Sequence, residues 1–336
     1  MPDKFNYGGQ AIIEGVMIRG KTHVAVAVRR PNGQARTRCE PLSTLYTGKW
    51  RKIPLIRGII VMMETMTLGM KALMFSANTA LEDEEGEEEQ EFSGLATSGL
   101  LAVSLTFAVG IFFIGPLFIT RALDPYITSS ILSNLTEGGI RLVVFLGYLY
   151  VMGLMPDMRR VYAYHGAEHM TIAAHEHASS LEVDEIRKYP KEHPRCGTAF
   201  LLIVMVVAIL TFAFLGRPEL WLRILSRLVL IPVIAAVSYE IIRFNARHEA
   251  NRLAKAVTFP GLLLQKLTTR RPDDAQIAIA VSAMQTALRA DGEVVPVTDL
   301  VLNEPVPGDE GALPEEAAVA GGASNDQDTT TESAVN

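Results

Sequence analysis

The chain lacks the residue patterns that mark a disulfide-stapled or a nucleic-acid-binding protein. Its 336 residues include two cysteines, Cys39 and Cys196, which lie far apart and exclude a framework of disulfides. No stripe of basic residues indicates a surface for nucleic acid, so we predict no nucleic-acid partner. Residues 1–20 contain charges and glycines but no apolar core, and we therefore predict no signal peptide.

Acidic residues are concentrated in two segments that have little apolar character. Residues 82–91 hold eight acidic side chains in ten positions, and the chain from Asp309 onward holds seven acids and no base. A segment of this composition cannot bury an apolar core. We therefore predict an acidic linker over 81–95 and a disordered acidic tail over 301–336. The net charge of −6 comes from this tail, and the rest of the chain is nearly neutral.

Long apolar segments dominate the middle of the chain. Hydrophobic residues make up 49% of the sequence, and the mean hydropathy of +0.22 is high for a soluble protein. We predict a mainly α, polytopic helical membrane protein whose membrane domain, residues 96–245, has four spanning helices at about 98–120, 140–155, 199–215 and 224–237. The last two are short or flanked by charge, so tilt or snorkelling arginines must help them to span. The alternative is that one pair of helices forms the core of a large soluble domain.

The distribution of Lys and Arg predicts the topology in the lipid bilayer. Residues 157–197 carry six of these side chains and residues 243–271 carry seven, whereas the first connection has only Arg121 and Arg141 at its ends. We therefore predict that both termini and the 157–197 segment face the cytoplasm. Beyond the bilayer, residues 246–300 are predicted to form cytoplasmic helices, a short one at 262–267 and another at 273–289.

The first 80 residues precede the membrane domain and have two different patterns. Residues 1–52 predict a glycine-rich module with a β-hairpin over 22–40, which turns at Pro31-Asn32-Gly33. In residues 53–80, Arg57, Glu64 and Lys71 recur at spacing seven and so share one stripe of a helix. An amphipathic helix on the membrane or packed on the body is the favoured interpretation. A membrane helix with buried charge pairs is the alternative.

Metal-binding residue types are dense in one short segment. Within 32 residues the chain has five of its seven histidines and one of its two cysteines, namely His165, His169, His175, His177, His193 and Cys196. On a helix, the first two of these histidines lie one turn apart on the same face. Imidazole and thiolate are good zinc ligands, and Glu168 between the two histidines is a candidate general base or a further ligand. The segment therefore predicts a metal site, with zinc as the expected ion.

Two coordination schemes stay open. His165, His169, His193 and Cys196 together would form a closed structural zinc site, whereas three of them with a water would leave a catalytic position open. Glu168 as a base fits only the second scheme. The residues His175 and His177 are more typical of a solvated helix face, and histidines that cap helices or meet lipid phosphates are the alternative to a metal site altogether.

One acidic residue within the apolar segments is a separate candidate. Glu240 follows the apolar run 235–239, where an ionisable group is costly and is by default functional. It could serve a transporter, although no broken pair of helices supports that function. The competing interpretation is an interfacial ion pair with Arg243, three residues later.

Three motifs along the chain form a recognisable set. They are Gly8-Gly9-Gln10-Ala11-x-x-Glu14-Gly15-Val16-Met17-x-Arg19-Gly20, Tyr164-His165-Gly166-Ala167-Glu168-His169 and His193-Pro194-Arg195-Cys196-Gly197-Thr198. This set resembles the YqhQ-like family, bacterial membrane proteins catalogued as predicted metal-dependent enzymes, over roughly residues 5–290. The resemblance implies a bacterial inner-membrane location and the same metal ligands, and it adds Glu14 and Arg19 as site members. The family pattern has a lysine after the second histidine, where this chain has Met170.

Two functions are therefore expected, from different classes. The first is a metal-dependent hydrolase acting at the membrane surface, with His165 and His169 as ligands, Cys196 or His193 as a third ligand, and Glu168 as the base. The second is a membrane scaffold or the partner subunit of another membrane protein, in which the metal only staples the 157–197 segment.

Overall fold

The computed structural model describes residues 7–81, 94–216, 218–248 and 251–293. Nearly all of the acidic linker predicted at 81–95 and the whole tail predicted at 301–336 lie outside these ranges. Within them, four strands come first, β1 (Gly8–Ile12), β2 (Gly15–Arg19), β3 (His23–Arg29) and β4 (Ala35–Pro41). The α-helices that follow are α1 (Thr44–Thr47), α2 (Ile56–Leu81), α3 (Gly94–Val109), α4 (Gly115–Leu123), α5 (Ser130–Met152), α6 (Pro156–Glu176), α7 (Val183–Ile186), α8 (Gly197–Ala213), α9 (Leu220–Arg247), α10 (Arg252–Thr268) and α11 (Asp274–Ala290).

The four strands form one antiparallel sheet in the order β1-β2-β3-β4. The predicted hairpin over 22–40 is confirmed as β3 and β4, and Gly33 in its turn has a φ of +86°. The segment 8–20 is a second hairpin, β1 and β2, whose two-residue turn places Glu14 at a φ of +51°. The short turns and the alternating apolar residues therefore determine the register of the strands in the sheet.

Each face of the sheet packs against different helices. Alternate residues of β2 and β3, such as Val16 and Ala25, join a core with α6, α7 and α11. Residues of the opposite parity, such as Met17 and Val26, pack on the second half of α2, with Phe75 among their contacts. Because successive side chains of a strand point to opposite faces, this alternation is what buries both faces of the sheet.

Four helical segments are long and apolar enough to cross a membrane by length and composition. They are Ile56–Ala80, Ala102–Tyr126, Ser130–Met152 and Leu220–Arg247. The last three overlap the first, second and fourth predicted spans, and only the fourth is covered completely. The third predicted span is α8, a shorter apolar helix of 17 residues that extends about 26 Å at 1.5 Å per residue. The mainly α, multi-helix membrane architecture is thus confirmed, although the four segments are not all those predicted.

The helix α2 is packed on the body of the protein and also has buried charge. Glu64 is 3% exposed, accepts a hydrogen bond from Arg19 Nε at 2.9 Å and pairs with Arg51. Arg57 pairs with Glu240 of α9, and Lys71 pairs with Glu40 of β4 at 3.1 Å. Each charge of the seven-residue stripe therefore joins α2 to a different neighbour. The helix is packed on the body, as the first interpretation expected, and has buried charge pairs, as the second expected.

The C-terminal helices are longer or better capped than the sequence indicated. The short helix predicted at 262–267 is the last third of α10, which has 17 residues and continues through Pro260. The helix predicted at 273–289 is α11. It begins with a capping box in which Asp273 accepts from the backbone of Gln276 while the Gln276 side chain binds back.

Candidate metal centre

The helix α6 carries the central residues of the site. It begins at Pro156, a residue whose fixed φ suits the first helical position, and has Asp157 in its first turn. Its middle section is buried between the sheet, α11 and the ends of α8 and α10, although its amino-acid composition is not strongly apolar. Glu168 and His169 are 4% and 2% exposed, which is costly for polar groups unless other groups satisfy them.

The structure brings His165, His169 and Cys196 into one group. One imidazole nitrogen from each histidine and the Cys196 sulfur all lie within 4.8 Å of one another. His165 Nε2 is 3.2 Å from the sulfur, and the centroids of the two imidazole rings are 4.3 Å apart. His165 is the partly exposed member of the group, so the group opens to solvent on that side.

Backbone carbonyls orient both imidazoles. His165 Nδ1 donates to the Thr268 carbonyl at 2.9 Å, at the end of α10, and His169 Nδ1 donates to the Lys191 carbonyl at 2.7 Å. These two hydrogen bonds place the proton on Nδ1 and leave each Nε2 with a free lone pair toward the group. Burial also holds the pKa of His169 well below its usual value, so this imidazole is neutral.

Cys196 is held where α8 begins. The Cys196 sulfur is the N-cap of α8 and accepts a hydrogen bond from the Thr198 backbone N–H at 3.4 Å, and the Thr198 hydroxyl lies 2.9 Å from it. Burial raises the pKa of this thiol to about 11, against the opposing effect of the Thr198 hydrogen bonds. A buried thiol in this position is inert as a free nucleophile, and a cation beside it would favour the thiolate.

Glu168 lies next to the group and is shielded from water. Its Oε2 is 3.5 Å from His169 Nε2. Burial raises the pKa of Glu168 to about 7, although His165 and a hydrogen bond from the Gly9 backbone act in the opposite direction. A carboxyl group with a pKa near 7 can both accept and release a proton at neutral pH.

His193 has the right residue type but is not in the group. Its ring centroid is 5.7 Å from that of His169, and its Nε2 donates to Glu176 at 3.2 Å. Gln265 of α10 holds the backbone of His193 from both sides, accepting from its N–H at 2.7 Å and donating to its carbonyl at 2.9 Å. The role of His193 as a metal ligand therefore stays a prediction, one that needs its side chain to leave Glu176.

The other candidates from the sequence lie elsewhere. The His175 ring makes an edge contact with Tyr7, and the His177 ring lies against that of Tyr189 at an interplanar angle of 44°. Glu14 makes a bidentate pair with Arg160, with distances of 2.5 and 2.6 Å, and Arg19 pairs with Glu64 as described above. These side chains tie the sheet to α6 and to α2 and do not enter the group of His165, His169 and Cys196.

Glu240 has a partner that the sequence did not indicate. Its Oε1 accepts from Arg57 Nε at 2.7 Å and from the Leu55 backbone N–H at 3.1 Å, so the pair joins α9 to α2. The expected partner was Arg243 on the same helix. An ion pair between two packed helices accounts for an acidic residue in an apolar segment without a transport function.

Sequence reasoning missed the residues that position the site. Gly9 has no room for a side chain, because a Cβ would lie 2.7 Å from Cγ and Oε1 of Glu168. The site is also positioned by the backbone carbonyls of Thr268 and Lys191 and by the side-chain amide of Gln265. These groups are not metal ligands, so residue type does not identify them. The glycines of the motif at residues 8–9 were the one available signal for a close approach.

Comparison with known proteins places this geometry in a family. Residues 53–290 match the family model described as "Protein of unknown function (DUF1385)". The chain belongs to this family. The DUF1385 region contains α2 through α11 and therefore every residue of the metal group, whereas β1 to β4 precede it.

A DUF1385 relative covers most of the chain, including the sheet. The "Uncharacterized protein YqhQ" of Bacillus subtilis (strain 168) is 33% identical over 299 residues, which are 85% of this chain and 93% of the relative. The resemblance to the YqhQ-like family is thus confirmed. No solved structure matches the chain.

Proposed function

We propose that this DUF1385 protein is a zinc-dependent hydrolase of the bacterial inner membrane, with its site on the cytoplasmic side. The observation that carries the proposal is the placement of one imidazole nitrogen of His165, one of His169 and the Cys196 sulfur within 4.8 Å of one another. Each imidazole is already turned toward the group by a backbone carbonyl. Ligands positioned in this way need little rearrangement to bind an ion.

The donor set fits zinc. Two imidazole nitrogens and one thiolate sulfur match the preference of this borderline-soft ion. Zn–N and Zn–S bonds of about 2.1 and 2.3 Å in a tetrahedron put neighbouring ligand atoms about 3.6 Å apart. His165 Nε2 and the Cys196 sulfur are 3.2 Å apart, and all three ligand atoms lie within 4.8 Å of one another.

Three protein ligands favour a catalytic centre. Structural zinc sites in proteins have four protein ligands, whereas catalytic sites have three and leave the fourth position to water or substrate. His193, the histidine nearest to the group, is bound to Glu176 through its Nε2. When bound, zinc would polarise the substrate carbonyl or phosphoryl group and make water more acidic.

Glu168 is the residue suited to proton transfer. Its carboxylate lies beside His169 Nε2 and is fixed by Gly9, so it can take a proton from the attacking water at Oε2. The same carboxyl group can then deliver the proton to the leaving group, since its pKa of about 7 permits both states. Burial also keeps bulk water from competing for this proton.

A groove beside the centre supports a substrate with both apolar and polar parts. It runs between α8, α9 and α10, and its lining includes Arg195, Ala199, Ile203, Ile242 and Asn245. Arg195 and Ala199 flank Cys196 in sequence, so the groove passes along the first turn of α8. A lipid-linked or membrane-embedded substrate fits this mixture better than a fully polar one.

A structural metal in a scaffold or partner subunit is the second candidate. The observation in its favour is that the His193 ring is only 5.7 Å from that of His169, so a change of side-chain rotamer would supply a fourth ligand. In that case the metal would join α6 to the start of α8 and stabilise residues 177–196 between them.

Glu168→Gln separates the two functions. An amide of the same shape cannot accept a proton, so the hydrolase loses function in a complementation assay while zinc content and thermal stability stay near those of the wild type. Glu185→Gln, at a partly exposed position of α7, is the matched control and should complement fully.

Cys196→Ser provides the opposite test. A structural staple would make this variant lose zinc and become sensitive to protease at residues 177–196, while Glu168→Gln would complement normally. Full complementation by Glu168→Gln, from a protein expressed at the wild-type level, would overturn the hydrolase.

A further inference from the structure

A second group of buried charges lies at the end of the helical bundle remote from the metal centre. Glu137 and Arg141 of α5 face Arg223 and Arg227 of α9, and all four residues are at most 5% exposed. Glu137 and Arg227 each lie seven residues beyond the start of their helix, about 10 Å along the axis. The neighbouring helix α8 begins at Gly197, directly after Cys196, and its second half lies beside this group, since Gly138 touches Ile209.

A single carboxylate binds all three arginines. Glu137 Oε1 accepts from Arg141 at 2.7 Å and from Arg227 at 3.2 Å. Its Oε2 accepts from Arg223 and from Arg227, each at 3.0 Å. These four hydrogen bonds use both lone pairs of both oxygens, so Glu137 has no capacity for a further donor.

The group has an excess of positive charge. Three guanidinium groups, which stay protonated in proteins, face the single buried carboxylate of Glu137. Asp124 lies at the edge, 22% exposed, and its Oδ2 is 3.5 Å from Arg223 NH1. Even with Asp124 counted, the described side chains of the group have one positive charge in excess, and a buried charge without a counter-ion is unfavourable.

Arg223 is the arginine with donor capacity to spare. Its Nε is buried and has no hydrogen-bond acceptor among the described residues. Its contact with Asp124 is at the limit of hydrogen-bonding distance, as is its 3.4 Å contact with Asn134. Arg141, in contrast, donates its Nε at 2.9 Å to the Phe112 carbonyl, in a π-helical turn at Gly110–Ile114 that frees backbone oxygens.

We propose that Arg223, at the edge of this group and beside Asp124, binds an oxyanion of the phosphate type. The guanidinium fork matches a phosphate group, and the neighbouring Arg227 and Arg141 add positive potential in a region shielded from water. Arg223 is three residues beyond the start of α9, about 5 Å along the axis, so the edge lies near the end of the bundle, where the phosphate of an acidic phospholipid can reach it. A free phosphate ion has the same chemistry, and the experiment below distinguishes the two sources.

Thermal unfolding of the full-length protein in a neutral detergent tests the site. A ligand that binds the folded protein raises Tm. We expect dioleoyl phosphatidylglycerol to raise the Tm of the wild type saturably by several degrees, whereas dioleoyl phosphatidylcholine does not. Inorganic phosphate at millimolar concentration is the second probe, and a shift with phosphate alone identifies the free ion as the source.

Three substitutions make the assignment specific to Arg223. Arg223→Gln should weaken the binding of the effective probe at least fivefold. Asp124→Asn removes the competing carboxylate and should strengthen it. Arg121→Gln, an exposed arginine at the same end of the bundle, is the control and should leave it unchanged.

Two results overturn the proposal. One is the lack of a saturable shift in the wild type with either anionic probe, which needs no variant to fold. The other is equal affinity in the wild type, Arg223→Gln and Asp124→Asn. Neither readout depends on zinc or on complementation, so failure here leaves the proposed hydrolase untouched.

Discussion

The backbone N–H of Gly9 donates to the carboxylate of Glu168, and the two residues are so close that a Cβ on Gly9 would lie 2.7 Å from Glu168 Cγ. The N-terminal strand β1 thereby forms one wall of the candidate metal centre. The glycine-rich motif at the start of the chain is explained by this contact, and the sheet is a part of the site as well as a support for it.

Gly9→Ala should displace Glu168. The new methyl group would also lie 2.8 Å from the Met17 carbonyl of the neighbouring strand, so either the strand or the carboxylate must move. We expect a loss of about 1–3 kcal/mol in the free energy of unfolding and a loss of function in complementation. Gly8→Ala is the control, since no atom lies within 4 Å of a Cβ there. Equal effects of the two substitutions would contradict this role of Gly9.

The pair His165→Ala and His169→Ala should abolish zinc binding. Two of the three ligand atoms would be lost, and one thiolate cannot hold the ion alone. Metal analysis of the purified protein should give about one zinc per chain for the wild type and close to none for the double variant. His177→Ala, whose ring packs on Tyr189 outside the group, should retain its zinc. Full zinc content in the double variant would refute the metal centre.

Reporter fusions should place residues 130 and 185 on opposite sides of the membrane, with 185 in the cytoplasm. The prediction follows from the excess of Lys and Arg in residues 157–197 and from a crossing by α5 between the two positions. Signals from the same side would contradict a membrane crossing by α5.

Fusions at residues 48 and 88 should report the same side, although α2 is long enough to cross. Its second half packs on the sheet through Leu68, Ala72 and Phe75, and β3 and β4 have arginines at their edges. If α2 crossed the bilayer, this charged sheet would lie in hydrocarbon. Opposite-side signals would show that α2 is a fifth spanning helix.

Asp291 should make the folded state depend on pH at the acid end. Burial raises its pKa, but hydrogen bonds from Thr22 and the Lys21 backbone outweigh this effect and lower it. A lowered pKa means that the stabilisation is complete above the unfolded value of about 3.9 and is lost as the pH falls through the folded value.

Asp291→Asn tests this dependence. At pH 7 the variant should be less stable than the wild type by about 1–3 kcal/mol, because charge-assisted hydrogen bonds are lost. The difference in Tm should shrink as the pH is lowered below about 4. A difference that stays constant down to pH 3 would show that the carboxylate charge is not involved.

Secondary structure could be predicted from the sequence wherever a local pattern of residues determines it. The β3–β4 hairpin and the helix at 273–289 follow from alternation, turn residues and capping, and the shared face of His165 and His169 follows from helical spacing. Lengths were less well predicted. Arg227 lies inside α9 because Glu137 neutralises part of its charge, a contact 90 residues away that no local pattern contains.

Contacts between distant segments were beyond the sequence for the same reason. Cys196 could be named as a ligand by residue type, but its 3.2 Å approach to His165 depends on how α8 packs against α10. The orienting carbonyls of Thr268 and Lys191 belong to residues whose side chains carry no such chemistry. The role of His193 as a metal ligand stays a prediction. Its contact with Glu176 was not evident from the sequence.

The packing of α6 between β1 and α11 also means that the metal centre is completed late in synthesis of the chain. The helix with both histidines is complete at Glu176, but the helix that covers it ends 114 residues later at Ala290. At about 5–20 residues per second, roughly 6–23 s of translation separate the two. In that interval α8 and α9 must emerge from the ribosome and reach the bilayer. Ribosomes stalled before α11 would therefore carry chains with their apolar helices made and their histidines uncovered.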